Sequence, residues 1–318
     1  MSTIKAGIAG LGHMGRNHAR ILAELPESDF RAVYDLDQAL AAETAGKYGV
    51  QAAKSLDEFA EMVDAATIVT PTPTHHPIAK KLLETGIHLL VEKPITENPA
   101  DAKDLVETAQ RAGVVLQVGH IERFNPVMSA LEERLNTPRF IECHRLSPYP
   151  NRSTEIGVVL DLMIHDLEIV LHLVRSPVRS VDAVGVPVLS KGEDIANARL
   201  RFENGCVANL TVSRISPDKM RKLRVFQEDA YLSLDYQNQS GEIHTIREGR
   251  IVRDAVEIEK DEPLKSQLRA FLQCAMAGSA PRVSGNQATA ALELAIEITR
   301  QIESQGLRPG VSLADLKL

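Results

Sequence analysis

Ala6-Gly7-Ile8-Ala9-Gly10-Leu11-Gly12-His13-Met14-Gly15 is the stretch that decides how the first third of the chain folds. A short apolar run ends in a G-x-G-x-x-G signature, and residues 14–24 after it carry a helical period. In a strand, turn and helix context each glycine has its own task. The first allows the tight turn, the second lets backbone approach a pyrophosphate, and the third permits close packing of helix on strand. The helix N-terminus adds N–H donors and a favourable dipole. Asp35 follows Gly15 by twenty residues, at the end of the next strand-like run, where a carboxylate accepts hydrogen bonds from an adenine ribose. A carboxylate there repels a 2′-phosphate, and Leu36, Asp37 and Gln38 offer no cation to receive one, so NAD rather than NADP is the expected cofactor.

Working outward, strand-like runs at 6–9, 31–34, 67–70, 87–91 and 114–118 alternate with helical segments near 14–24, 37–47, 75–85 and 99–111. That alternation is the pattern of βαβ units wound into a parallel sheet. Asn98 followed by Pro99 reads as an N-cap with proline at the first helical position, and Gly113 as the stop of the same helix. Beyond residue 120 the texture changes. One apolar helix near 158–174 precedes strand-like runs from Val178 to about Glu259, with Glu203-Asn204-Gly205 as a hairpin signal between 197–202 and 207–212. Helices near 263–277 and 286–305 close the chain, the second with Ala291, Leu292, Leu294, Ala295 and Ile298 on one broad face that needs a partner surface. The second half reads as an antiparallel sheet in a packed α+β domain.

The 318 residues include 36 Lys and Arg against 43 Asp and Glu, a formal net charge of −7 that argues against a general polyanion or nucleic-acid binder. With 44% hydrophobic and 25% charged residues the chain is an ordinary globular protein. Cys143, Cys206 and Cys274 are far apart, without the spacing of a metal site or a disulfide framework, so no metal and a reducing compartment are expected. No apolar run approaches the roughly 18 residues of a membrane span. The first residues lead straight into a strand without the basic and hydrophobic regions of a signal peptide, and the expectation is a soluble cytoplasmic protein with no membrane partner.

Glu92-Lys93-Pro94 follows the 87–91 strand, so Lys93 stands at a carboxyl end of the sheet, where open α/β sheets bind ligands. A lone lysine after a strand is by itself more often a solvated charge. Asp161 and His165 lie four apart in an apolar helical segment, on one face, so the carboxylate can orient and tune the imidazole as an acid/base. The plainer reading, an Asp–His brace, has equal standing on these residues alone, and Asp166 and His172 dilute the signal.

Taken together, the glycine motif, Thr70-Pro71 with His75, Glu92-Lys93-Pro94 and the Asp161/His165 helix resemble the glucose–fructose oxidoreductase, inositol dehydrogenase and rhizopine-catabolism (Gfo/Idh/MocA) family. The resemblance covers essentially the whole chain. It implies an α/β fold: a Rossmann doubly wound parallel sheet over 1–121, then over 122–318 an α+β domain with a large, mostly antiparallel open sheet for substrate binding and oligomerisation. Helix 286–305 is expected to pack back on the first domain. The implied activity is NAD-dependent oxidation of a CH–OH group. Lys93 and His165 become acid/base candidates with Asp161 as their partner. Gly10, Gly12, His13, Met14, Gly15, Asp35, Thr70, Pro71, His75, Glu92, Lys93 and His120 become cofactor-binding candidates. Where many members carry an aromatic or small residue after the strand glycine, this chain has Gly119-His120. His120 is either a second titrating group near the nicotinamide or a packed strand-end residue, and the second reading is preferred.

Within the family, 118–126, 159–166 and 202–210 look like the branch acting at C3 of UDP-N-acetylglucosamine for the amino-sugar variant of lipid A. That resemblance makes Lys93, Arg123, Asn125, Arg145, Tyr149, Arg152, Asp161 and His165 substrate-binding candidates. Arginine suits a pyrophosphate, which also brings in Arg214. It implies a UDP-sugar substrate, a homodimer or homotetramer, and coupling to an aminotransferase. Rival readings are dehydrogenation of another sugar or a cyclitol, a hydrolase that retains NAD and recycles it, and a non-enzymatic NAD sensor.

Overall fold

A computed structural model of the chain describes residues 2–150 and 156–305. The chain forms two compact units: unit 1 is the chain up to Phe124 together with Asp261–Ala290, and unit 2 is Asn125–Lys260 together with the chain from Ala291. Among the described residues no helix is long and apolar enough to cross a membrane.

Unit 1 holds β1 (Ile4–Ala9), β2 (Ser28–Tyr34), β3 (Gln51–Ala52), β4 (Ala65–Ile68), β5 (His88–Glu92) and β6 (Leu116–Gly119). They pair in the order β3-β2-β1-β4-β5-β6, all parallel. The order reverses between β1 and β4, which places a ligand crevice at their carboxyl ends. The connecting helices are α1 (His13–Glu24), α2 (Gln38–Tyr48), α3 (Leu56–Met62), α4 (His75–Glu84) and α5 (Pro99–Ala112). α5 begins where Asn98 accepts the Asp101 N–H at 2.9 Å, and ends at Gly113 with φ 67°. Two elements lie outside the periodic reading. β3 has only two residues, too few to show a period. α3 is a short helix started by a reciprocal cap, Ser55 Oγ accepting the Glu58 N–H and the Glu58 carboxylate accepting the Lys54 N–H. Its Phe59 ring packs where a Cβ on Gly7 would stand, 2.7 Å away, so Gly7 lets α3 settle on β1.

The units do not follow the linear division at 121/122. α8 (Pro263–Ala277) belongs to unit 1, because its Leu264, Leu268, Phe271, Leu272 and Ala275 join one apolar cluster with Ile21 and Leu22 of α1 and Leu25 at its C-cap. Each large side chain buried this way contributes about 1.5–3 kcal/mol.

Unit 2 is built on an eight-stranded sheet: β7 (Pro138–Leu146), β8 (Val178–Val186), β9 (Ile195–Phe202), β10 (Val207–Ser213), β11 (Met220–Gln227), β12 (Ala230–Asp235), β13 (Ser240–Arg247) and β14 (Arg250–Val256). The order is β14-β13-β12-β11-β7-β10-β9-β8, antiparallel except for the β7–β10 pair. Gly205, with φ 86°, makes the β9–β10 turn. β7 is the central strand that the pattern concealed. Its inward positions are Ile141, Cys143 and Arg145, so the apolar alternation is broken by a buried charge. One face is covered by a π-helical turn, Val159–Met163, running into α7 (Ile164–Val174), with α6 (Pro126–Glu132) beside β12. The last helix, α9 (Gly285–Ser304), sets Ile302 methyls 2.8 and 2.9 Å from where a Cβ on Gly185 of β8 would stand. From Ala291 onward it therefore belongs with unit 2, and α8 is the segment that returns to unit 1.

Candidate functional site

The glycine loop sits at the carboxyl end of β1. Gly10 has φ 96°, and a Cβ there would fall 2.7 Å from the Val69–Thr70 backbone. Its N–H donates to the Tyr34 carbonyl at 2.8 Å, which ties the loop to β2. Gly15 lies under the loop: a Cβ would come 2.0 Å from the Gly10 carbonyl oxygen, so α1 can approach β1 only without a side chain. Gly12 differs, because a Cβ there would meet open space. It is the N-cap of α1 and no side chain caps that helix, so the first-turn N–H groups remain for an anion. Asp35 braces the same loop, Oδ2 accepting the Leu11 N–H at 2.7 Å and Oδ1 the Asp37 N–H at 2.9 Å. Each oxygen keeps a second lone pair.

A cavity of about 860 Å³ runs along these elements. Its lining follows the sheet order at the carboxyl ends of the strands: Asp35 after β2, Gly10, Gly12 and Met14 after β1, Thr70, Pro71 and His75 after β4, and Glu92 and Lys93 at the end of β5. Gly15 supports the loop from below. His13 opens α1 and accepts the Asn17 amide through its carbonyl at 3.2 Å. The volume, the bare Gly12 and the uncapped helix end fit a dinucleotide, with Asp35 placed for a ribose. Leu36, Leu40, Thr74 and Ile78 add to the wall. They carry no motif, and only the folded chain brings them together.

His75 is buried, with Nδ1 3.0 Å from the Pro94 carbonyl and Nε2 2.8 Å from the Thr70 carbonyl. The ring thus links the loop after β4 to the loop that carries Lys93. A neutral imidazole donates to one of the two carbonyls at a time. The Lys93–Pro94 peptide bond is cis. His120 is 1% exposed, and burial, with the positive charges of Lys93 and Arg123, pushes its imidazole down to about 3 against the pull of Glu92. It is neutral near pH 7 and buried directly after the last residue of β6.

In unit 2 the structure separates the polar residues of the helical segment. Asp166 is buried and takes both arms of Arg145, Nε to Oδ2 at 2.9 Å and Nη2 to Oδ1 at 2.8 Å. His172 pairs with Glu132 at 2.9 Å. Asp161 and His165 remain partly exposed, on the turn and first residue pair at the start of α7. Glu193 holds that turn, its carbonyl accepting the Val158 N–H at 3.1 Å and its carboxylate the Val159 N–H at 3.0 Å. A π-helical turn advances fewer degrees per residue than an α-helix, and four residues still return to one face.

Of the arginines expected at a substrate pyrophosphate, Arg145 and Arg214 are internal. Arg145, 3% exposed, serves Asp166. Arg214, 1% exposed, sets Nε 2.9 Å from Asp194 Oδ1 and donates through Nη2 to the Ile156 and Glu193 carbonyls. Burial alone would push the Asp194 carboxyl up, but the N–H groups of Leu189, Val188 and Ser190 more than offset it and hold it below its ordinary value. Asn125 is a buried N-cap of α6, accepting the Val127 N–H at 3.2 Å and donating to the Tyr236 carbonyl at 3.1 Å. Arg123 is likewise buried. Tyr149 is on the surface, its hydroxyl 2.9 Å from Ser190 Oγ. Arg152 lies outside the described residues.

Comparison with known proteins agrees with this geometry. Residues 4–120 match the family described as "Oxidoreductase family, NAD-binding Rossmann fold", and 131–233 match the "GFO/IDH/MocA C-terminal domain". The chain is 35% identical over 311 residues to UDP-N-acetylglucosamine 3-dehydrogenase of Acidithiobacillus ferrooxidans, covering 96% of this chain and 99% of that one. The solved structure of that enzyme superposes with a TM-score of 0.91. The chain is also 25% identical over 325 residues to scyllo-inositol 2-dehydrogenase (NAD(+)) of Bacillus subtilis, covering 95% and 94% of the two chains. Myo-inositol 2-dehydrogenase of Thermotoga maritima is 26% identical over 325 residues, covering 95% and 97%. With a glycine cradle for the dinucleotide and a full-length relative at this identity, the chain belongs to the GFO/IDH/MocA family of NAD-binding oxidoreductases.

Proposed function

We propose that the protein oxidises the C3 hydroxyl of UDP-N-acetylglucosamine with NAD as acceptor. The observation that carries the reading is Lys93 at one end of the cavity whose other end is the glycine loop with Asp35. The substrate comes from the relative at 35% identity across 96% of this chain. NAD, when bound, supplies the hydride acceptor. Gly12 and the first turn of α1 hold the pyrophosphate, Asp35 receives the ribose hydroxyls and excludes a 2′-phosphate, and Lys93 Nζ takes the hydroxyl proton. On the family resemblance His165 serves as the alternative proton acceptor, with Asp161 as its partner.

The wider setting is part of the same proposal. A 3-keto sugar nucleotide is the substrate an aminotransferase needs, consistent with a cytoplasmic step toward an amino-sugar lipid A. A homodimer or homotetramer is supported by apolar side chains left exposed on the open sheet, among them the cross-strand pair Val186 and Ile195 at 41% and 38%. The inositol dehydrogenases at 25% and 26% identity favour a second reading, oxidation of a cyclitol. A panel of UDP-N-acetylglucosamine, UDP-glucose, glucose and inositol, with NAD and a coupled aminotransferase, separates them by NADH absorbance. Reduction confined to UDP-N-acetylglucosamine is the expected outcome. Turnover of a free polyol with silence on every nucleotide sugar would replace the substrate and leave the family standing.

A further inference from the structure

Glu92 sits at the end of β5, directly before Lys93, and its carboxylate is held from three sides. Lys93 N–H donates to Oε2 at 3.2 Å. His18 Nε2 of α1 stands 3.3 Å from Oε1, an ion-pair distance, with the imidazole wholly buried. β6 supplies the third side. Glu92 is in register with Gly119, and a Cβ on Gly119 would fall 2.6 Å from Oε1 and 2.9 Å from Oε2. The slot exists only because residue 119 has no side chain.

His18 is the one polar member of the buried face of α1 that includes Gly15, Ala19, Ile21 and Leu22. A buried imidazole carries a desolvation cost, so its partner matters. Burial by itself would push the Glu92 carboxyl up. The His18 imidazole at ion-pair distance, then the Lys93 N–H and charge, more than offset this, and the group lies below its ordinary value. Among the described residues the charged and titratable groups of this cluster are His18, Glu92, Lys93, His120 and Arg123.

We propose that His18 is a positioning residue for Lys93, acting through the Glu92 carboxylate that Gly119 accommodates. The helix whose N-terminus faces the cofactor thereby also fixes the lysine at the far end of the same cavity. His18 touches no reacting atom. The inference rests on the assignment of Lys93 as the acid/base, and its test is arranged to separate the two.

His18→Ala, His18→Gln, Gly119→Ala and Lys93→Met are compared as full chains with NAD and UDP-N-acetylglucosamine. Gly119→Ala disturbs Glu92 from the side opposite His18, so the outcome does not depend on the folding of one variant. A displaced catalytic group costs on the order of 10- to 100-fold. The expected result is a fall in kcat of that size in His18→Ala and Gly119→Ala, with the NAD dissociation constant nearly unchanged. Recovery in His18→Gln follows, because the amide can donate to Glu92 from the same side. Amide exchange at Lys93 should quicken by about tenfold in the two damaged variants, since its acceptor has moved. Unchanged kcat in both, or a loss of NAD affinity that matches the loss of kcat, overturns the proposal and leaves Lys93 in place. Turnover retained by Lys93→Met overturns the assignment beneath it. If the wild type oxidises no member of the panel, the exchange decides: an unaltered Lys93 amide in both variants refutes the linkage.

Discussion

In unit 1 the neighbours Glu92 and Lys93 border a cavity, whereas in unit 2 Arg145 and Arg214 are buried in closed pairs. Glu92 and Lys93 line the space that the glycine loop opens. Arg145 and Arg214 are nearly inaccessible and bound to Asp166 and Asp194. The same residue types thus serve opposite ends. Where a charge borders open volume it can meet a ligand, and where its donors are consumed by a buried carboxylate it holds loops and strands in place. Sequence position alone does not distinguish these, because the partner residues are remote: 21 positions separate Arg145 from Asp166.

Four substitutions or conditions press on that contrast. Lys93→Met should lower turnover by on the order of 10⁴-fold while NAD binding, read by calorimetry, survives, since the general acid/base is lost and the glycine loop is untouched. Arg214→Ala should act the other way, lowering stability by about 3–5 kcal/mol in denaturant unfolding, because a buried ion pair loses one partner and the Ile156 and Glu193 carbonyls lose their donor. A stable Arg214→Ala protein with impaired sugar binding would move that arginine from brace to ligand.

Acid offers a third handle. The folded-state value of His120, about 3, lies below its unfolded value near 6.5, so the unfolded chain takes up the proton first and stability rises with pH between the two. This contribution is complete above about pH 6.5 and falls by about 2 kcal/mol on going to pH 5, at 1.36 kcal/mol per unit. The stability profile of His120→Gln should be flatter by that slope, and an identical profile would contradict the burial argument. The smallest effect is at Asp35. Asp35→Asn should shift the NAD over NADP preference by about tenfold, roughly 1.4 kcal/mol, as the repulsion of the 2′-phosphate disappears. Binding assays with both cofactors measure it.

Much of unit 1 was legible because its signals are local. A glycine that must adopt φ 96°, a carboxylate at a strand end and an Asn-Pro helix start each act within a few residues. α3 was missed although Ser55 and Glu58 carry its cap, since the seven-residue helix is too short to show a period. In unit 2 the hairpin at Gly205 was readable and β7 was not, because the inward Arg145 interrupts its alternation. The site divided along the same line. Lys93, Asp35 and the glycines were found by motif. The carboxylate partners of Arg145 and Arg214 and the carbonyl partner of Asn125 appear only once the fold brings them together. His18 lacked any motif, and its meaning rests on Glu92 lying 3.3 Å away.

The most direct test of the central claim follows one atom. UDP-N-acetylglucosamine carrying deuterium at C3 is turned over with NAD and an aminotransferase, and the reduced nicotinamide is examined by mass spectrometry. Hydride transfer from C3 predicts deuterated NADH and a sugar product that has lost the label. NADH without deuterium, or a product that keeps the label at C3, would contradict the account.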